Sequence, residues 1–209
     1  MKFIAFEGLD GSGKTTQINL LKVVLTKEYR KKVTVIQGLG SSIIGPMLRE
    51  MFLYQTKITP FTRMWLSFAN MEQTQTEIIQ PALENNHIIL ADRWIASTYA
   101  YQVFGHYLDI PLKKFHKLHC SFFFQPAITF YFDIKPAIGL IRKQQKLDYE
   151  PDLFEKKGIA YFEQVKRGYD YFFKKDFLVK NYNADIPKSI LFKKVITFLK
   201  EKKIIEFRI

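Results

Sequence analysis

Short apolar runs rich in β-branched and aromatic residues alternate along this chain with longer stretches in which apolar residues recur three and four apart. Five of the runs have the length and make-up of buried strands: residues 2–6, 33–37, 88–91, 127–132 and 177–181. Between them, Ile18, Leu21 and Leu25, and later Phe162, Val165, Tyr169 and Phe172, keep the spacing that gathers apolar side chains on one face of a helix. Strands that alternate with helices predict a mostly parallel sheet, because parallel neighbours need a long crossover and a helix supplies it. The expected fold class is α/β, a three-layer arrangement with a five-stranded parallel sheet and helices on both faces.

At 209 residues, with no repeat and no Gly/Ser- or Pro-rich linker, the chain reads as one domain over residues 1–209. Hydrophobic residues make up 47% and charged residues 25%, a balance that excludes disordered, collagen-like and membrane-embedded classes. The longest apolar segment, residues 122–134, is interrupted by Gln125, Pro126 and Asp133, so no membrane partner is expected. The single cysteine, Cys120, cannot close an intrachain disulfide, and no export signal is read at the N-terminus. A cytoplasmic location is the expectation. The net charge of +12 suits a polyanion, but the excess lysines are scattered over residues 27–32 and 193–203 without interleaved aromatics. That pattern describes a solvated basic surface, not a nucleic-acid platform.

One local motif carries most of the chemistry. Directly after the first strand, Gly8-Leu9-Asp10-Gly11-Ser12-Gly13-Lys14-Thr15 meets every specified position of G-x-x-x-x-G-K-[ST]. Glycines let the backbone close around an oxyanion, so that successive N–H groups and the following helix N-terminus point at nucleotide phosphates. Lys14 supplies a cation for the terminal phosphates and the Thr15 hydroxyl a ligand for Mg²⁺, and with Thr16 the run forms the expected ATP-binding residues. Such a loop specifies a triphosphate site without specifying a reaction.

The acceptor must be read elsewhere. The third strand ends in Asp92-Arg93, at the sheet edge where open α/β folds bind ligands. Arg93 can hold an anionic acceptor there while Asp92 lies near the metal, or the pair can simply cap the next helix. Ser97, Tyr101 and Gln102 then share one face of that helix.

Together these segments resemble the thymidylate kinase family of P-loop nucleoside monophosphate kinases, bacterial type. The loop over residues 7–16 is similar to the family's, and Asp92, Arg93, Trp94, Ser97, Ala100, Tyr101 and Gln102 match its Asp-Arg-aromatic, Ser, Ala-Tyr-Gln pattern. The likeness extends through Ile79-Gln80-Pro81-Ala82-Leu83, residues 126–133, Gly139-Leu140-Ile141-Arg142, Asp152, Phe154, Glu155 and Asn183-Ala184, nearly the whole chain. It implies phosphoryl transfer from ATP to dTMP with Mg²⁺, a homodimer, and a mobile lid near residues 142–152. It also implies that Asp10 contacts the acceptor surroundings, that Arg93, Ser97, Tyr101 and Gln102 line the monophosphate site, and that Arg142 is the lid arginine. Gly11 leaves the loop without a basic side chain of its own, so the cation on the migrating group should come from the lid, where Arg142, Lys143 and Lys146 stand.

Two stretches depart from the family pattern. The phosphate-gripping arginine expected after the second strand is replaced in Gln37-Gly38-Leu39-Gly40-Ser41-Ser42, leaving Arg49 as a cation one helix further on. The thymine-reading arginine falls at Met71 and the base-stacking phenylalanine at Ser67, with Phe68 its neighbour. Arg49, Phe68 and Met71 therefore join the expected acceptor residues. These departures leave open another nucleotide or a nucleoside as acceptor, or a non-catalytic nucleotide-binding protein. His116, His119 and Cys120 form an H-x-x-H-C cluster that is read as helix packing beside residues 122–124.

Overall fold

The computed structural model describes residues 2–145, 150–174, 178–205 and 207. Five strands form one wholly parallel sheet: β1 (Phe3–Glu7), β2 (Val33–Gln37), β3 (Ile88–Asp92), β4 (Ile128–Asp133) and β5 (Val179–Asn183). Their order is β2-β3-β1-β4-β5. Every residue of β1 and β3 is buried, which requires cover on both faces of the sheet. The edge strands β2 and β5 alternate with exposed positions instead.

The helices follow the periodicity. Helix α1 (Lys14–Val23) continues in wider turns to Glu28, and its Ile18 and Leu21, with Leu25 beyond, are buried. Helices α2 (Gly45–Tyr54) and α3 (Pro60–Thr74) follow β2, and wide turns over Gln75–Ile79 join α3 to α4 (Gln80–Glu84). After β3, α5 (Ile95–Thr98) runs on through Tyr99–Val103 and a tight turn to His106. Then come α6 (Leu112–Phe122), α7 (Pro136–Gln144), α8 (Ile159–Phe173) and α9 (Lys188–Glu201). Phe162, Val165, Tyr169 and Phe172 all point inward from α8. α8 packs on the continuation of α5, and α1 packs on α9.

Strand ends differ from the expectation in a consistent way. β1, β3 and β4 each run one residue further and end on an acid, Glu7, Asp92 or Asp133. Apolar patterning stops at the last apolar side chain, whereas the ladder depends on backbone groups and pairs Phe6 with Asp92 and Glu7 with Tyr131. β5 begins at Val179, two residues later than expected, and residue 177 lies outside the described residues. The central sheet thus delivers Glu7 and Asp92 to its carboxyl edge. Of the segment expected as a lid, residues 146–149, Lys146 among them, also lie outside the described residues. No described helix is long and apolar enough to cross a membrane.

Candidate active site

At the carboxyl end of β1 the chain turns through the glycine-rich loop and enters α1 at Lys14, with Gly13 as its left-handed cap. The Lys14 ammonium folds back over the loop and donates to the carbonyls of Gly8 (3.1 Å) and Leu9 (2.9 Å). Burial, then the neighbouring Arg93, lowers its pKa to about 8 against the pull of Asp10, Asp92 and Glu7. The Thr15 hydroxyl donates to Asp92 Oδ2 at 2.5 Å, joining the loop to the end of β3. A hydroxyl and a carboxylate oxygen side by side are the hard donors Mg²⁺ takes, so this pair fits the metal expected at the phosphates. The Ser12 side chain is buried without a partner among the described residues, and Gly8 and Leu9 enter the site through their carbonyls.

Gly11 has a steric reason to lack a side chain. A Cβ there would lie 2.2 Å from the carbonyl oxygen of Gly139 on α7, and one on Gly139 would lie 2.4 Å from the Asp10 carbonyl. Loop and helix are in backbone-to-backbone contact.

Arg93 is the hub of the site. Held at a φ of 74°, it directs Nη1 to the Gly8 carbonyl (2.8 Å), the Ser97 hydroxyl (3.1 Å) and the Tyr169 hydroxyl (2.8 Å), and Nη2 to Asp10 Oδ1 (2.5 Å). Its guanidinium also lies 5.1 Å from the centre of the Tyr101 ring. Burial opposes ionisation of Asp10, yet Arg93, Lys14 and Lys143 together hold its carboxyl well below the usual carboxylate range.

Helix capping falls to neither Asp92 nor Arg93. Glu7, buried at the end of β1, accepts the backbone N–H groups of Trp94 (2.7 Å) and Ser97 (3.2 Å) and the Ser97 hydroxyl (2.5 Å). Burial pushes its pKa up, although Ser97 and Arg93 pull the other way. Sequence reasoning passed over Glu7 as a site residue. Its one signal is position, an acid between an apolar strand and the first loop glycine.

A second tie closes the donor side. Lys143 Nζ lies 3.0 Å from Asp10, 3.3 Å from Asp152 and 2.6 Å from Glu155. Asp152 and Glu155 also cap each other's backbone: Phe154 and Glu155 N–H donate to Asp152 Oδ1, and Asp152 N–H donates to Glu155 Oε2. Arg142 donates to the Ala184 carbonyl (3.0 Å) and to Asp185 (2.8 Å) after β5, and at 3.5 Å to the Gly11 carbonyl of the loop. Both basic side chains line the cleft, but Lys143 is the one paired with a phosphate-loop acid.

The cleft itself holds about 440 Å³, within the range of small-molecule sites. Asp10, Gly11, Gly13, Lys14, Thr15 and Thr16 of the loop line it together with Arg49, Met71, Arg93, Ser97, Tyr101 and Gln102. Gln102 is buried and its Oε1 has no hydrogen-bond partner among the described residues. Phe68 corrects an expectation: it does not line the cleft but packs among Trp65, Phe115 and Phe123. Ser67 and Met71, four apart, share the cleft face of α3, and Phe68 stands about 100° further round the helix. In the loop after β2, the Ser41 hydroxyl accepts from Gln37 N–H and the Ser42 hydroxyl donates to Asn70, so these serines brace the loop. Arg49 donates to the Leu39 carbonyl at 3.4 Å from the cleft rim.

Comparison with known proteins agrees with this geometry. The family model for thymidylate kinase matches residues 6–191. A thymidylate kinase of Chlorobium limicola is 30% identical over 207 residues, 95% of this chain and 94% of that protein. One from the Aster yellows witches'-broom phytoplasma is 31% identical over 204 residues, 96% of this chain and 95% of its own. One from Prosthecochloris aestuarii is 34% identical over 175 residues, 80% of this chain and 78% of its own.

Proposed function

The chain belongs to the thymidylate kinase family, and on that premise we propose that it transfers the terminal phosphoryl group of ATP to dTMP, giving ADP and dTDP. The observation that carries this reading is the single cleft lined by the Lys14 loop and by Arg93, Ser97, Tyr101 and Gln102. Transfer between two nucleotides bound in that cleft needs positioning and charge neutralisation, not a covalent enzyme intermediate.

Lys14 and the loop amides bind and orient the donor phosphates. Thr15 and Asp92 would hold Mg²⁺, which would neutralise charge on those phosphates. Arg93, already fixed by Gly8, Ser97 and Tyr169, presents its charge to the acceptor phosphate. Arg142 and Lys143 bring further positive charge to the cleft from α7. The Gln102 oxygen, without a partner among the described residues, suits an N–H donor on the acceptor base, which the imide of thymine offers. We read residues 1–209 as one catalytic domain and the working unit as a cytoplasmic homodimer. Exposed Met47 on α2 and Phe61 and Trp65 on α3 support pairing through that face.

The test is ADP release from ATP and Mg²⁺ by the purified chain against dTMP, dUMP, dCMP, dGMP, dAMP, the ribonucleotides and thymidine. Release that is strongest with dTMP is the expected result. Release with thymidine but not dTMP would make the enzyme a nucleoside kinase, and silence across the panel would overturn catalysis.

A further inference from the structure

Helix α6 carries His116, His119 and Cys120 on one turn, at spacings of three and four residues that put side chains on a common face. Their donor atoms converge. His116 Nδ1 lies 2.9 Å from His119 Nε2, Cys120 Sγ lies 3.9 Å from that same nitrogen, and the ligand atoms all fall within 4.8 Å of one another. A tetrahedral ion with metal–nitrogen bonds of about 2.0–2.1 Å and a metal–sulfur bond of about 2.3 Å spaces two nitrogens roughly 3.3 Å apart, and a nitrogen and a sulfur roughly 3.6 Å apart. The two spacings at His119 Nε2 are within a few tenths of an ångström of those values, a change that side-chain rotation can supply.

We propose that His116, His119 and Cys120 bind a thiophilic divalent transition metal of the zinc class, at a site separate from the oxygen-lined Mg²⁺ position at Thr15 and Asp92. Two imidazoles and a thiolate suit zinc or cobalt and are poor ligands for Mg²⁺, so the two positions select different ions. Ligation exchanges the Cys120 thiol proton, released to buffer, for the metal–sulfur bond. The thiolate then offsets part of the added charge, which matters because Lys113 and Lys174 line the same cavity. That cavity, open and about 940 Å³, gives the ion a route in and leaves room for water as a fourth ligand. His119 is 2% exposed, so its ring is already held by its surroundings. His116 packs on Phe172 of α8 with ring centres 4.6 Å apart. Phe115, on the same helix, packs against Phe68 and Tyr99. A bound ion would therefore stiffen α6 against two neighbouring helices.

The experiment titrates the full chain, dialysed against chelator, with Co²⁺ and then Zn²⁺ in excess Mg²⁺. The expected result is a single equivalent of Co²⁺ bound with a thiolate-to-cobalt charge-transfer band, displaced by Zn²⁺, and a higher unfolding midpoint with Zn²⁺ present. Cys120→Ser should abolish the band, and His116→Ala should weaken binding by roughly 10–100-fold or more, the loss that outer partners alone cause at other sites. Neither variant should change dTMP kinase activity measured with chelator-treated protein and Mg²⁺. Absence of the band in the parent chain, or its survival with unchanged affinity in Cys120→Ser, would overturn the proposal. His119→Gln adds a third arm if it folds, and the two more exposed positions decide the matter if it does not.

Discussion

The Glu7 carboxylate accepts a 2.5 Å hydrogen bond from the Ser97 hydroxyl, across 90 residues of sequence. Through the same carboxylate the end of β1 caps the start of α5, so the glycine-rich loop and α5 share one anchor. Arg93 completes it, bonded to Ser97 and to Gly8 in the same corner.

Replacing Glu7 with alanine strands two buried backbone N–H groups, at about 1–3 kcal/mol each. The expected loss is therefore about 2–6 kcal/mol in urea unfolding, with Glu7→Gln much milder because its amide oxygen still accepts. The pH sign follows from burial. A carboxyl whose folded pKa lies above its usual 4.5 contributes stability that is fully present below pH 4.5 and fades as pH rises through the folded value. Glu7→Gln should remove that slope, and an unchanged slope would show that Glu7 does not titrate in this way.

Lys14 shows a conflict between stability and function. Its pKa is depressed to about 8, so the folded chain holds this proton less tightly than the unfolded chain does. Stability should rise with pH between about 8 and the usual 10.5 as the burden of the buried ammonium is lifted. Lys14→Met, similar in volume and uncharged, is expected to stabilise the ligand-free protein by roughly 1–3 kcal/mol while lowering kcat by about 10²-fold or more. Thermal unfolding paired with turnover tests both halves. Loss of stability together with activity would mean that the carbonyl contacts to Gly8 and Leu9 outweigh desolvation.

The parts of this site that could be read from sequence are those whose partners are close in sequence. The loop from Gly8 to Thr15 is a fixed spacing, and Arg93, Ser97, Tyr101 and Gln102 lie within three turns of one another, so both parts of the cleft lining were visible. The cap made by Glu7 and the tie between Lys143 and Asp10 were not, because those partners stand 87 to 90 and 133 residues away and only the fold brings them together. A single residue of helical phase separates Ser67, on the cleft, from Phe68, in the aromatic core. Strand ends were missed for a related reason: backbone pairing carries Glu7 and Asp92 into the ladder, and their side chains give no apolar signal.

The contact between Gly11 and Gly139 gives a third prediction. Alanine at position 139 would gain up to about 1 kcal/mol in helix propensity. Its Cβ would meet the Asp10 carbonyl at 2.4 Å, a backbone atom held by the loop, so α7 must move away. Overpacking of this kind costs about 1–3 kcal/mol, and net destabilisation is expected. Because the displaced helix carries Arg142 and Lys143, KM for ATP should rise as well. Unfolding and ATP-saturation curves on Gly139→Ala check it, and unchanged values in both would show that loop and helix part easily.

Arg142 and Lys143 are adjacent and should fail differently. Arg142 pairs with Asp185 where the two side chains are 37% and 47% exposed, a pair worth about 0–1 kcal/mol. Arg142→Ala should therefore leave stability nearly untouched, and any fall in kcat reports lost charge at the phosphates. Lys143 instead neutralises Glu155, whose side chain is 2% exposed, along with Asp152 and Asp10. Removing one partner of a buried pair leaves an uncompensated charge, so Lys143→Met should cost about 3–5 kcal/mol and lower kcat as Asp10 loses its second cation. Combining Lys143→Met with Glu155→Gln separates the two effects. Stability should return in the double variant because the stranded charge is gone, while kcat should stay low because the cation is still missing. Recovery of both would make Lys143 a strut between α7 and the Asp152–Glu155 turn with no part in the chemistry, and recovery of neither would place its main debt with Asp10.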